Sequence, residues 1–302
     1  MFKKVHRYLK SPYYALGDDL IKIHPKWMSD EYFIKVFWKQ MMGYSLDLKH
    51  PKTFNEKLQW MKLYDRNPLY TDLVDKLKVK KWVADKIGSE HVIPTLAVYD
   101  SVDDIRLNEL PDQFVLKCNH DSGGIVICKD KTKIDFEAAK SKLKNSIEHN
   151  FYWEYREWAY KNVERKIFAE RFMQDVTMQD DLMDYKVFNF NGKPKIIQVD
   201  FDRFKKHKRN LYDTEWNYID ARIQYPNDSQ HVINKPKVLA EMLSMANKLS
   251  EGFPHVRTDF YLIDDKVYFG EMTFYHGGGY EKFVPESLGQ KMGEWMELPV
   301  KS

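Results

Sequence analysis

Cysteine is scarce: Cys118 and Cys128 are the only two among 302 residues. That excludes the disulfide framework of a small secreted domain and predicts two free thiols. No run of about 18 apolar residues occurs, so no helix is expected to span a membrane. Neither charge sign is in excess; 48 Lys and Arg against 45 Asp and Glu leave +3, a balance that does not call for nucleic acid. Internal repeats and low-complexity stretches are missing, which excludes repeat architectures. The first residues, MFKKVHRYLKSPYYALGDDL, lack the apolar stretch of a signal peptide, and the expected location is cytoplasmic. What is present is apolar and aromatic material, 43% and 15% of the chain, enough for a large core and one to three subdomains.

Phe2, Val5, Tyr8 and Leu9 fall at helical spacing among Lys3, Lys4, Arg7 and Lys10. Such a helix can lie on an anionic membrane, although packing on the protein body is its commoner fate. Thr53 with Glu56 three residues on predicts a helix start, and Leu58, Met61 and Leu63 mark one face. TDLVDKLKVKKWVADKIG (71–88) has an acidic start, alternating charge and Gly88 as a cap. VIPTLAVYDS, FVLKCN, GIVICK, KIFAERFM, DYKVFNFNG and KPKIIQVDF read as strands, with Asn191-Gly192 a hairpin turn. Residues 135–165 read as a charged helical cover, 203–231 as polar and irregular, and KPKVLAEMLSMANKLSEGF as an amphipathic helix ending at Gly252. A helical lead followed by mixed and then strand-rich segments predicts α+β layers and not a doubly wound parallel sheet.

Four stretches carry candidate chemistry. In VLKCNHDSGG, Lys117 and Asn119 share a strand face before a glycine turn whose backbone N–H groups could close on phosphate oxygens. DKLKVK (75–80) could turn lysines toward a polyanion, although a solvated helix face is the default. KIFAERFM and MDYKVF could offer backbone hydrogen bonds and flat walls to a base, with Asp184 and Lys186 on one face. In RTDFYLIDDKVYFGEMT (257–273), Arg257 and Asp259 share one strand's face, and Glu271 and Thr273 share the next strand's face. A three-residue loop, Asp264-Asp265-Lys266, would pair Ile263 with Val267 and set Asp259 opposite Glu271. Facing like charges are destabilising unless a cation lies between them. Two carboxylates with substrate phosphates are a usual magnesium set, and a neighbouring Lys or Arg is the alternative.

Taken in order, FNEKLQWMKLYDR, DKLKVKKWVADKIG, FVLKCNHDSGG, AERFM, DYKVFNFNG and VRTDFYLIDDKVYFGEMTF resemble the TupA-like branch of the ATP-grasp superfamily. The resemblance runs from Phe54 to about Leu298 and implies an ATP-grasp fold, two α+β lobes holding ATP, with a helical N-terminal extension. The domains it implies are a helical region (1–70), an N-terminal or linker subdomain (71–112), a small lobe with a glycine-rich flap (113–172), and a large lobe with the metal site (173–302). It implies phosphate contacts from Lys80 and Lys117, a flap of His120, Ser122, Gly123 and Gly124, and an adenine hinge of Glu170, Arg171, Phe172 and Met173. Asp184 with Lys186 would meet ribose and phosphate. Mg²⁺ would be held by Asp259 and Glu271, with Thr273 where many members carry Asn, and Arg257 would stabilise the transferred phosphoryl group.

The implied activity is ATP-dependent carboxylate–amine ligation through an acylphosphate. The expected substrate is a uronic acid or other carboxylate of a bacterial surface polysaccharide or its precursor, joined to an amino acid or amine. Arg203, Lys205 and Lys206 are candidates for the acidic acceptor. The rival enzyme class is a metal-dependent glycosyltransferase, on the D-x-D of Asp200-Phe201-Asp202.

Overall fold

The computed structural model describes residues 26–174, 183–202 and 206–300. The basic N-terminal segment, Arg203 and Lys205 lie outside the described residues.

Helix α1 (Asp30–Met42) starts where the Ser29 hydroxyl accepts the Tyr32 N–H and ends at Gly43, whose φ of 85° is left-handed. It buries Phe33, Ile34, Phe37 and Trp38. Helix α2 (Phe54–Tyr64) carries the expected capping box. It is not one-sided, however, because Asn55, Glu56, Gln59 and Lys62 are buried along with the apolar residues. The 71–88 stretch is two helices, α3 (Leu69–Val74) and α4 (Lys78–Ile87). The Asp75 carboxylate accepts the N–H groups of Leu77 and Lys78 and so breaks the helix between them.

Two antiparallel sheets follow. The smaller contains β1 (Thr95–Tyr99), β2 (Phe114–Cys118), β3 (Ile125–Cys128) and β4 (Ile167–Arg171) in the order β1-β4-β2-β3. Helix α5 (Phe136–Glu148) packs on it, and Tyr99, Phe114, Leu116, Leu143, Ile167 and Ala169 share its core. A one-turn helix, α6 (Tyr152–Tyr155), and a 3-10 turn (Trp158–Tyr160) lead into β4. Cys118 and Cys128 are free, buried thiols, as expected.

The larger sheet runs β11-β10-β5-β6-β7-β8. Its strands are β5 (Asp184–Phe190), β6 (Lys193–Phe201), β7 (Lys208–Tyr212), β8 (Tyr218–Ile219), β10 (His255–Ile263) and β11 (Lys266–Thr273). Strand β9 (Arg222–Ile223) pairs separately with β12 (Phe283–Val284). Strands β7 to β9 correct the expectation that 203–231 is irregular. Strands β8 and β9 are too short to show a pattern, and on β7 the buried Arg209, which pairs with Asp200 on β6, interrupts the apolar run. Helix α7 (Leu239–Ser250) covers one face, and α8 (Glu286–Trp295) packs on α2. The helices α1 to α4 share one apolar cluster with the large sheet.

Both hairpins turn as left-handed pairs. Asn191 and Gly192 have φ of 48° and 76°, and Asp264 and Asp265 have 52° and 57°, the pattern of type I′ turns. The second turn therefore has two residues, not three, and Ile263 pairs with Lys266. The register then shifts at Gly270, which restores Asp259 opposite Glu271. A β-carbon on Gly270 would lie 3.1 Å from the Asp259 carbonyl oxygen, so glycine suits this bulge.

Candidate active site

One face of the large sheet carries a row of mostly buried charges. Asp184 and Lys186 come from β5, Asp200 from β6, Arg209 from β7, Arg257 and Asp259 from β10, and Glu271 and Thr273 from β11. Alternation along each strand puts them on one side, and register brings Asp259 beside both Glu271 and Lys186.

Cations separate the facing acids. Arg257 donates from Nε to Asp259 Oδ1 at 2.6 Å and from Nη2 to Asp259 Oδ2 at 2.8 Å. The same Nη2 reaches Glu271 Oε1 and the Thr273 hydroxyl, each at 3.1 Å. Lys186 donates to Asp259 at 2.6 Å and to Asp184 at 2.9 Å. Burial works against these charges, but Asp184 and Asp259 hold the Lys186 ammonium above its ordinary range, and Asp259 and Glu271 raise the Arg257 guanidinium. Burial likewise opposes a charged Glu271, yet Lys76, Arg257, Lys186 and Lys117 outweigh it and hold the carboxyl at about 2.

A second cluster lies on the small sheet. The Glu170 carboxylate, 5% exposed, accepts from Lys117 at one oxygen and from Lys80 at the other, the latter at 2.6 Å. Burial disfavours the Glu170 charge, but the two lysines keep it below the usual range. Lys80 also donates to the Ile93 carbonyl at 2.9 Å and the Thr95 hydroxyl at 2.7 Å. Lys76 joins the clusters. It donates to the Asp121 carbonyl and lies 3.7 Å from Glu271 Oε2.

The glycine turn is anchored at its base. The Asn119 side chain donates to the Glu164 carbonyl at 2.9 Å and accepts the Lys166 N–H at 2.8 Å. His120 is buried, with Nε2 2.9 Å from the His149 carbonyl. Ser122 and Gly123 are exposed at the tip. Gly124 is buried where a β-carbon would meet Ser146 Oγ at 2.3 Å and Cys118 Sγ at 2.9 Å, so helix α5 can approach only a glycine.

Other candidates are placed differently. The backbone of Glu170 and Arg171 lies in the sheet register, paired with Val115 and Phe114, and Phe172 and Met173 follow the strand end. Lys206 is exposed. The D-x-D pair is split: Asp200 is buried and doubly bonded to Arg209 at 2.7 and 3.3 Å. Asp202 is exposed past the end of β6 with φ of 51°.

Magnesium can be tested against the lone pairs. An ionised carboxylate offers about four acceptor positions. Asp259 gives three to Arg257 and Lys186 and keeps one on Oδ1. Glu271 Oε1 is engaged by Arg257 and Thr273, while Oε2 faces only the longer Lys76 contact. Two hard oxygens remain, which suits a magnesium shared with substrate phosphates. The Thr273 hydroxyl is already taken up by Arg257 and Glu271. Among the described residues no group of three or more His, Cys, Asp or Glu is arranged to hold a metal alone.

A profile of the family described as TupA-like ATPgrasp matches residues 56–297. The chain belongs to the TupA-like ATP-grasp family. It therefore has the α+β ATP-grasp fold. Among solved structures it is similar to a D-alanine–D-alanine ligase from Bacillus anthracis, at 16% identity over 67% of this chain and 57% of that one, with a TM-score of 0.36. An N5-carboxyaminoimidazole synthetase from Staphylococcus aureus matches at 14% identity over 76% and 53%, with a TM-score of 0.39. The ATP-grasp ligase PsnB, solved with a precursor variant, Mg and ADP, matches at 9% identity over 85% and 65%, with a TM-score of 0.41. This chain thus spans less than two thirds of each of these ATP-grasp proteins. No match was found among curated protein sequences.

Sequence reasoning missed four polar partners in this ATP-grasp chain. Lys76 appeared only as one of the lysines of DKLKVK, although its place next to Asp75 was a usable signal. Thr95 on β1 carried no local sign. Neither did His276, whose Nδ1 lies 2.7 Å from Arg257 Nη1, nor Glu281, 2.8 Å from His276 Nε2. These last two sit in and after a glycine turn with no motif of their own.

Proposed function

We propose that this chain is an ATP-dependent carboxylate–amine ligase. ATP phosphorylates a carboxylate to an acylphosphate, an amine attacks the acyl carbon, and an amide forms with release of ADP and phosphate. The observation that supports this best is the setting of Glu271, where Arg257 donates to one carboxylate oxygen at 3.1 Å and Lys76, from a separate segment, lies 3.7 Å from the other. A site so rich in cations around exposed oxygen is suited to a polyanion bound with a divalent metal.

In this reading Lys80 and Lys117 leave Glu170 to take the nucleotide phosphates, with the 120–124 turn closing over them. Residues 170–173 border the base, and Asp184 meets the ribose. Asp259 and Glu271 would hold magnesium, which neutralises phosphate charge when bound. Arg257, already within reach of both acids, steadies the phosphoryl group in transit. Positioning and charge supply most of the catalysis, since phosphoryl transfer needs little covalent help from protein.

The substrate reading is a uronic acid or similar carboxylate of a bacterial surface glycan or its precursor, coupled to an amino acid or amine, in the cytoplasm. Among the described residues no helix is long and apolar enough to cross a membrane. The glycosyltransferase reading loses support because Asp200 is bonded to Arg209 and Asp202 points from a different backbone conformation.

A thermal-shift panel tests the choice. Mg-ATP should raise the melting temperature of the wild type and raise it less in Glu271→Gln, because a ligand that binds the native state stabilises it. Stabilisation by a UDP-sugar with Mn²⁺ and none by Mg-ATP would overturn the ligase reading.

A further inference from the structure

One partner of Arg257 stands apart from the two acids. Arg257 Nη1 donates to His276 Nδ1 at 2.7 Å, whereas Nε and Nη2 reach Asp259, Glu271 and Thr273. A guanidinium can only donate, so Nδ1 accepts and the ring proton sits on Nε2. That nitrogen lies 2.8 Å from Glu281 Oε2. Burial lowers the His276 pKa against the pull of Glu281, so the ring stays neutral and keeps its lone pair. Its edge-on contact with the Phe188 ring, 4.7 Å between centres, packs it from the side.

The turn that carries His276 is gripped from two directions. Behind the ring, Arg209 Nη1 donates to Glu281 at 3.2 Å and to the Ile223 carbonyl at 3.0 Å, while its other nitrogens hold Asp200. Beneath the turn, Asn55, Gln59 and Lys62 share one face of α2 at helical spacing. Asn55 donates to the Glu281 carbonyl at 2.8 Å. Gln59 donates to the Gly278 and Gly279 carbonyls at 3.1 and 2.9 Å, and Lys62 to the Gly278 carbonyl at 2.6 Å. The approach is close: a β-carbon on Gly279, whose φ is 72°, would lie 2.5 Å from Gln59 Nε2. The polar residues that α2 buries are therefore spent on the backbone of this turn.

We propose that His276, seated by Glu281 and the α2 side chains, is a positioning residue that keeps Arg257 Nη1 aimed at the transferred phosphoryl group. Of the five guanidinium hydrogens, Nε and Nη2 give three to Asp259 and to Glu271 with Thr273, and Nη1 gives one to His276. The other Nη1 hydrogen has no partner among the described residues, and the His276 contact fixes where it points. The inference rests on the ligase reading, in which Asp259 and Glu271 turn to magnesium and loosen their hold on Arg257. His276 takes no part in that exchange. As an uncharged acceptor it also leaves the guanidinium charge to the phosphoryl oxygens.

The test uses the full chain and isothermal titration calorimetry. Affinity is measured for Mg-ADP alone and for Mg-ADP with aluminium fluoride, a mimic of the phosphoryl group in transit. The wild type should prefer the fluoride complex by about tenfold or more. His276→Phe keeps a ring against Phe188 but has no lone pair. It should lose most of that preference while its affinity for Mg-ADP stays within about twofold. His276→Asn, whose side-chain oxygen can accept where Nδ1 does, should restore most of the preference. If His276→Phe keeps the preference, or weakens both complexes alike, the positioning role is overturned while the ligase reading stands. Should His276→Phe not fold, Glu281→Gln decides, since it removes the charge behind Nε2 and leaves Arg257 in place: a reduced preference supports the role and an unreduced one overturns it. If the wild type shows no preference at all, the ligase reading falls and takes the role of His276 with it.

Discussion

Replacing Glu271 by glutamine removes one charge from a site that holds four cations within reach of it. The folded chain keeps this carboxyl at about 2 against an ordinary 4.5. At ~1.36 kcal/mol per pKa unit, that gap corresponds to about 3 kcal/mol of linkage. The side chain is 33% exposed, and solvent screening reduces the usable part to about 1–2 kcal/mol. The sign follows from the lowered pKa. The stabilisation is present above the unfolded value of 4.5 and is lost as pH falls toward 2. Urea denaturation of both proteins should therefore show Glu271→Gln less stable by about 1–2 kcal/mol near neutral pH. The gap should close as the solution is acidified. Equal stability at neutral pH, or a gap that persists in acid, would refute the idea that the cations act on this carboxylate.

Three further outcomes follow from other contacts. Glu170→Ala leaves Lys80 and Lys117 without their shared carboxylate and should cost about 3–5 kcal/mol in chemical unfolding, as breaking a buried pair does; adding Mg-ATP should recover part of it. Glu157 titrates in the opposite sense to Glu271. Its raised pKa gives stability below 4.5 that is lost through about 7, so Glu157→Gln should abolish a decline of up to about 3 kcal/mol between those pH values. Gly293→Ala would set a β-carbon 2.1 Å from the Lys52 carbonyl oxygen. The contact is with backbone, so α8 must shift, and a loss of about 1–3 kcal/mol is expected in thermal unfolding.

The sequence announced elements wherever local chemistry decided them. Thr53 with Glu56, and Asn191 with Gly192, stated a helix start and a hairpin without help from the rest of the chain. Strand alternation placed Asp259 and Glu271 on one face and opposite each other. The loop assumed for that placement was one residue too long, and the bulge at Gly270 compensated, an irregularity no alternation rule contains. The break at Asp75 was hidden because the charge pattern of 71–88 is helical throughout, whereas the side chain of Asp75 caps the second helix and ends the first. Strands β8 and β9 were illegible because two residues each are too few to show alternation, and β7 because Arg209 and Asn210 are buried beside the apolar Leu211 and Tyr212.

The same limit applies to the site. Its carboxylates, Lys80 and Lys117 were visible as residue types on predictable faces. What neutralises them was visible only as alternatives, a metal or a neighbouring Lys or Arg: Arg257 bonds to both Asp259 and Glu271, an interaction fixed by neighbouring strands and the His276 turn.

The central claim, activation of a carboxylate by ATP, is tested most directly with hydroxylamine as the trapping amine. Uronic acids and sugar nucleotides bearing them are incubated with the protein, Mg-ATP and hydroxylamine, and ADP and hydroxamate are measured together. The account predicts a carboxylate for which the two appear in equal amounts, and predicts that both fall in Glu271→Gln. ADP released with no hydroxamate from any carboxylate, or a phosphorylated product with no amide, would contradict it.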